Sequence, residues 1–104
     1  MGTAGRESEG SVVTEKKQQT RHPSMYKVLL HNDDYTTMDF VVMVLETIFH
    51  KSVEEANRIM LNVHEHGLGV AGVYPRDVAE TKTILVHDLA RKHEYPLKCS
   101  IEKA

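Results

Sequence analysis

One cysteine, no tryptophan and three prolines stand in the 104 residues. A single thiol excludes an intramolecular disulfide framework and a zinc site built from cysteines alone. Cys99 lies in the strand-like alternation Leu97, Cys99, Ile101, which predicts an inward-facing core thiol and a reducing compartment. An excess of one charge is missing too. Thirteen Lys and Arg against fifteen Asp and Glu give a formal charge of −2 with no clustered basic face, which argues against nucleic acid as a partner. No apolar run approaches the roughly 20 residues of a membrane span, and the N-terminus has no signal-peptide apolar region. Met1-Gly2-Thr3-Ala4-Gly5-Arg6 fails the myristoylation pattern, which needs Ser or Thr where Arg6 stands. The expectation is a soluble cytosolic protein. There is no GxSxG elbow, no P-loop and no HExxH, so no catalytic machinery of those kinds is expected.

Apolar residues make up 40% of the chain, a globular composition, and the length suits one domain with one core. Residues 1 to about 24 are rich in Gly, Ser, Thr, Glu, Lys and Gln, with Val12 and Val13 as their apolar pair. Such a segment cannot bury enough surface to offset the entropy of ordering it. A disordered extension over 1–24 and a core domain over 25–104 follow as expectations. Tyr26 to Asn32 is dense in strand formers, with Tyr26, Val28 and Leu30 on one face. Asn32-Asp33-Asp34-Tyr35-Thr36 reads as a turn and Thr36 as the N-cap of a helix with Asp39 in its first turn. Phe40, Val41, Val44, Leu45, Ile48 and Phe49 form its apolar stripe, and the helix should end near His50. Ser52-Val53-Glu54-Glu55 is a capping box opening a second helix, with Ala56, Ile59, Met60 and Val63 inward and Gly67 closing it in a left-handed conformation. Val70 to Tyr74 reads as a strand, Asp77 to about Lys92 as a helix with Val78, Leu85 and Leu89 facing inward, and Leu97 to Glu102 as the last strand. The order β-α-α-β-α-β predicts an α+β fold: a two-layer sandwich of a three-stranded sheet with three helices on one face.

Asn32-Asp33-Asp34, at the carboxyl end of the first strand, has two readings. The side chains form the turn through local hydrogen bonds, or they are displayed beside a rigid scaffold for ligand capture. Val63-His64-Glu65-His66-Gly67, with His31 as a third imidazole, has the composition of a metal site. His64 and His66, however, point about 200° apart on a helix, and the i, i+4 His pair of helical zinc motifs is missing. No metal and no cofactor is expected. Two carboxylates beside a His could do acid–base work, but nothing supplies a nucleophile or an oxyanion site, so no enzyme is expected.

Read together, Met25 to Val41 (MYKVLLHNDDYTTMDFV) closely resembles the signature of the ClpS family of protease adaptors. The resemblance continues through Ala56, Met60-Leu61, Val63-His64, Gly67, Gly72-Val73-Tyr74, Val78-Ala79-Glu80-Thr81-Lys82 and Pro96-Leu97-Lys98-Cys99, covering roughly residues 24 to 104. It implies an adaptor that binds N-degrons, proteins with a free N-terminal Leu, Phe, Tyr or Trp, and delivers them to a Clp AAA+ ATPase–protease of the ClpA/ClpP type. By position it implies that Asn32, Asp34 and His64 hold the ligand's α-amine, with Asp33 in a supporting electrostatic role. Thr36, Met38, Val41, Met60, Val63 and Leu97 would line the pocket for the first side chain, Met38 acting as a gate against β-branched residues. An exposed helix face carrying Asp77, Glu80 and Lys82 would dock on the ATPase N-domain. The free protein is expected to be a monomer, and the lack of an Arg- and Ser-rich transit segment points to a bacterial cytosol rather than a plastid. The chain departs from the common family pattern at Thr37, where Pro is frequent, and at His31 and His66. The rival reading is an interaction module of the same fold without an amine pocket, such as the ribosomal stalk C-terminal domain, against which the Asn32-Asp33-Asp34 and His64 set speaks.

Overall fold

A computed structural model of the chain describes residues 22–104. The disordered extension expected over residues 1–24 therefore lies, save for His22, Pro23 and Ser24, outside the described residues. The element order is β1 (Met25–His31), α1 (Met38–Thr47), α2 (Val53–His66), β2 (Leu68–Pro75), α3 (Arg76–Lys92) and β3 (Lys98–Lys103), the expected β-α-α-β-α-β arrangement. The sheet is antiparallel with β1 in the centre, flanked by β2 and β3. Its inner face presents Val28, Leu30, Ala71 and Cys99 to the helices, all essentially buried. The other face leaves Leu68, Val70 and Val73 exposed, so the helices cover one side and the sandwich has two layers.

Local chemistry sets the boundaries. The hydroxyl of Ser52 accepts the Glu55 N–H and starts α2, and Gly67 ends it at φ 88°, donating its N–H to the Val63 carbonyl. Glu55 turns outward to pair with Arg58 instead of closing the box on Ser52. The cap of α1 is Thr37, not Thr36, and its hydroxyl accepts the Phe40 N–H at 3.1 Å. The Thr36 side chain is turned back toward the Asp33 carboxylate, to which both its N–H and its hydroxyl donate. Helix α1 also stops at Thr47, earlier than its apolar stripe suggested. Ile48 and Phe49 stay buried beyond the helix, His50 adopts φ 56°, and the Lys51 N–H closes back on the Leu45 carbonyl.

The largest departure from expectation is the inner face of α3. Val78 and Leu85 are 38% and 47% exposed, Leu89 is partly buried, and the side turned to the sheet carries Ala79, Val86 and Ala90. Small side chains let the helix approach the sheet closely, which a face of leucines would prevent. Thr83 lies on that side too, its hydroxyl donating to the Ala79 carbonyl while the Cys99 thiol reaches it at 3.7 Å. The Cys99 N–H, pointing away from β1, donates to Nε2 of His87 at 3.0 Å, so α3 also covers the backbone of an edge strand. Burial pushes the Cys99 thiol up to about 11, which keeps it protonated and inert near neutral pH.

A β-bulge between Val28 and Leu29 places β1 residue 28 opposite Gly72 and residue 29 opposite Val70, leaving Ala71 as the extra, fully buried residue. Upstream of it, at Leu68, β2 leaves the end of α2 directly, so that the strand start and helix end converge.

Candidate functional site

The Asn32 N–H donates to the Gly67 carbonyl at 2.8 Å. That bond ties the residue after β1 to the left-handed cap of α2, so the Asn32-Asp33-Asp34 turn and His64 arrive at one place. The three consecutive polar residues then divide their work. Asp33 accepts the Tyr35 N–H at 2.8 Å, the Thr36 N–H at 2.7 Å and the Thr36 hydroxyl at 2.8 Å. Its carboxylate is occupied in building the turn, which makes it a positioning residue. Among the described residues, the side chains of Asn32, Asp34 and His64 have no internal hydrogen-bond partner. All three are exposed. The local-bond reading of the turn thus describes Asp33, while Asn32 and Asp34 are left displayed at its surface.

These groups rim a cavity of about 260 Å³ whose apolar wall is Met38, Val41, Met60 and Val63, with Thr36 at the turn. The volume is below the roughly 300 to 1,000 Å³ of drug-sized ligand sites, and suits one side chain. Val41 and Val63 are buried, whereas Met38, in the first turn of α1, is 43% exposed. Methionine is flexible enough to move there. Leu97, expected on this wall, is not in the lining; it is buried within the core cluster. The negative end of the α2 backbone dipole falls on the same side as the carboxylate of Asp34, and both favour a cation at the rim.

Burial raises the pKa of Asp33, but the hydrogen bonds from the backbone and side chain of Thr36 and the backbone of Tyr35 outweigh it, holding the carboxyl below the ordinary range. A carboxylate depressed in the folded state contributes stability above its unfolded value of about 4, and that contribution is lost as pH falls through the lower folded value. Asp33→Asn is expected to cost about 1 to 2 kcal/mol at neutral pH. The gap to wild type should close in melts taken at successively lower pH below about 4. A gap that stays constant down to the acid limit would show that the charge of Asp33 does not hold the turn.

A larger groove of about 640 Å³ lies between Ile48 and the α3 residues Leu85, Asp88, Leu89, Arg91 and Lys92. It has no cluster of acceptors, and Asp88 is already paired with Arg91. Of the three imidazoles weighed as a metal site, His31 is engaged on the sheet, its Nε2 2.7 Å from the Ser100 hydroxyl. Among the described residues no group of three or more His, Cys, Asp and Glu side chains could hold a metal. Gly67, Gly69 and Gly72 share the G-x-G-x-x-G spacing of dinucleotide-binding turns, a spacing that has meaning only between a strand and the helix it opens. Here it runs from a helix cap into a strand, so no helix N-terminus faces a phosphate.

Matching against protein-family models identifies residues 21–100 as ATP-dependent Clp protease adaptor protein ClpS. The chain belongs to the ClpS family. It is 63% identical over 93 residues to the ATP-dependent Clp protease adapter protein ClpS of Desulfatibacillum aliphaticivorans, covering 89% of each chain. To the ClpS of Phenylobacterium zucineum it is 56% identical over 102 residues, 98% of this chain and 94% of the other. The solved structure of Agrobacterium tumefaciens ClpS2 bound to L-phenylalaninamide superposes with a TM-score of 0.77 at 40% identity, covering 80% of this chain and 100% of that one. Membership in ClpS assigns the chain an adaptor role toward the Clp protease. Among the described residues no helix is long and apolar enough to cross a membrane.

The ClpS resemblance also singled out Asp77, Glu80 and Lys82, and the structure separates them. Asp77 and Glu80 are exposed at the start of α3, Glu80 paired with Arg76 at 2.9 Å. Lys82 is half-buried on another side of the helix, about 200° around from Glu80 by the helical period. Its ammonium donates to the Ile48 carbonyl at 2.7 Å and lies 5.7 Å and 5.2 Å from the ring centres of Phe49 and Tyr74. Lys82 thus closes the end of α1 as a structural cation, which its spacing alone does not reveal.

Proposed function

We propose that this protein binds polypeptides with a free N-terminal Leu, Phe, Tyr or Trp and hands them to a Clp AAA+ ATPase–protease of the ClpA/ClpP type. The observation that carries this reading is the pairing of three acceptors without partners among the described residues, Asn32, Asp34 and His64, with the apolar wall of one cavity of about 260 Å³. A free α-amine is a cationic triple donor near neutral pH and needs acceptors around it. Asn32 offers a carbonyl, Asp34 a carboxylate and His64 a ring nitrogen. Seating a Leu or Phe side chain in the cavity contributes roughly 1.5 to 3 kcal/mol. The similarity to a ClpS2 bound to L-phenylalaninamide, a molecule with a free amine and a benzyl side chain, supports the same pairing. Met38, at the mouth, rejects side chains branched at Cβ. Asp77 and Glu80 present the surface of α3 that docks on the ATPase N-domain, with Lys82 supporting that surface from inside. The free adaptor works as a monomer in a bacterial cytosol.

The test is fluorescence anisotropy with labelled peptides that begin with Phe, Leu or Ile, and with an acetylated Phe peptide. Free Phe and Leu peptides should bind, Ile should bind far more weakly, and acetylation should abolish binding, because it removes the charge and donors and leaves acceptors unpaired at about 1 to 3 kcal/mol each. Equal binding of acetylated and free Phe peptides would refute the amine site. Absence of binding to all of them by the folded protein would leave an interaction module of the same fold.

A further inference from the structure

We infer that Gly69, which takes no part in the cavity lining, is a positioning residue for Val63 and thereby sets which large first side chains fit; the inference rests on the proposed reading of the cavity. Gly69 is buried in β2 opposite Leu30 and faces the end of α2. A Cβ at this position would lie 2.9 Å from Cγ2 of Val63, 3.5 Å from the Val63 backbone nitrogen and 3.6 Å from Cβ of Asn62. The first of these is closer than Cβ atoms approach in real structures, so Val63 has to give way to any larger residue. The backbone is not the obstacle, because among the described residues only Gly67 combines glycine with a positive φ.

Val63 has little freedom with which to respond. It is 2% exposed, it forms part of the cavity wall, and a β-branched side chain in a helix is confined largely to one rotamer. Rotation of Val63 swings a methyl into the cavity. The alternative is that the last turn of α2 moves away from β2, and that turn carries His64 and the Gly67 carbonyl that receives the Asn32 N–H. Either response narrows the seat for the side chain or spreads the acceptors around the amine. The missing Cβ of Gly69 is therefore what leaves Val63 lying back against the strand and the cavity at its full width. The widest first residues depend on that width most, and leucine least.

The experiment measures affinities of free-amine peptides beginning with Leu, Phe and Trp for wild type, Gly69→Ala, Val63→Ala and the double variant. Gly69→Ala is expected to lower Trp affinity relative to Leu by about tenfold, the low end of what one methylene is worth in an apolar pocket. In the Val63→Ala background the methyls that clash are gone, and adding Gly69→Ala should change the Trp to Leu ratio by less than about twofold, the mark of an effect carried through that contact. Should Gly69→Ala fail to fold alone, the double variant should fold, as its contact is relieved, and should show the selectivity of Val63→Ala. A uniform loss for all three peptides, an unchanged ratio, or the same ratio change with Val63 absent would overturn the inference while leaving the amine site intact. Failure of wild type to bind any of the three would instead bring down the reading of the cavity, and this inference with it.

Discussion

Replacing Asp34 with alanine is expected to weaken binding of a peptide with a free N-terminal phenylalanine by about thirtyfold or more, because losing one partner of a desolvated charge pair costs roughly 2 to 5 kcal/mol. Asp34 is exposed and its carboxylate has no partner among the described residues, so the change should hardly affect folding. The cost arises on binding, when the first side chain fills the cavity below and excludes water from the ammonium and its acceptors. Asp34→Asn keeps an acceptor but loses the charge, and should fall between wild type and alanine. Asp33 supplies the contrast, since its carboxylate is bonded to Tyr35 and Thr36 and its loss acts through a loosened turn. Anisotropy titrations paired with thermal melts separate the two: Asp34→Ala loses affinity at unchanged stability, whereas Asp33→Ala loses stability as well. An Asp34→Ala affinity within about threefold of wild type would remove Asp34 from the amine site, given what a charge-assisted bond contributes.

What could be read from the sequence follows the range of the interactions involved. The Ser52 cap and the Gly67 stop of α2 are contacts between a residue and backbone a few positions away, and both stand where the sequence put them. The order of strands and helices follows from hydrophobic period, also a local property. The choice between Thr36 and Thr37 as cap was not legible, because two adjacent threonines offer the same hydroxyl. It is settled by the Asp33 carboxylate, which accepts from both donors of Thr36. The site was legible in its parts but not in its assembly. Nothing in the spacing of Asn32 and His64 says that the Asn32 N–H finds the Gly67 carbonyl. That juxtaposition was available only through the family resemblance. The same resemblance named Leu97 and Lys82, and the fold gives both of them interior tasks: Leu97 packs in the core, and Lys82 caps the end of α1.

Helix α3 shows the limit most clearly, and it carries the largest expected effect on stability. Two stripes along it could have faced the sheet: Val78, Leu85 and Leu89, favoured by hydrophobicity, or Ala79, Thr83, Val86 and Ala90 at helical spacing. The structure selects the second, with Ala79 and Val86 fully buried and Val78 and Leu85 exposed. The reason is distance. The hydrogen bonds from Cys99 to His87 and from Lys82 to Ile48 hold α3 close to β3 and α1, and a close approach admits side chains no larger than valine between helix and sheet. Ala79→Leu adds three carbons where no space exists, and is expected to cost about 3 kcal/mol, the upper part of the range for overpacking. For a domain of this size that lowers the melting temperature by roughly 15 °C. Leu85→Ala, on the exposed stripe, should cost less than about 1 kcal/mol, because half of its surface already meets water. Thermal melts of the two variants side by side decide between the stripes. If Leu85→Ala were the more damaging, α3 would have to be turned on its axis, with Val78, Leu85 and Leu89 against the sheet and the small residues outward.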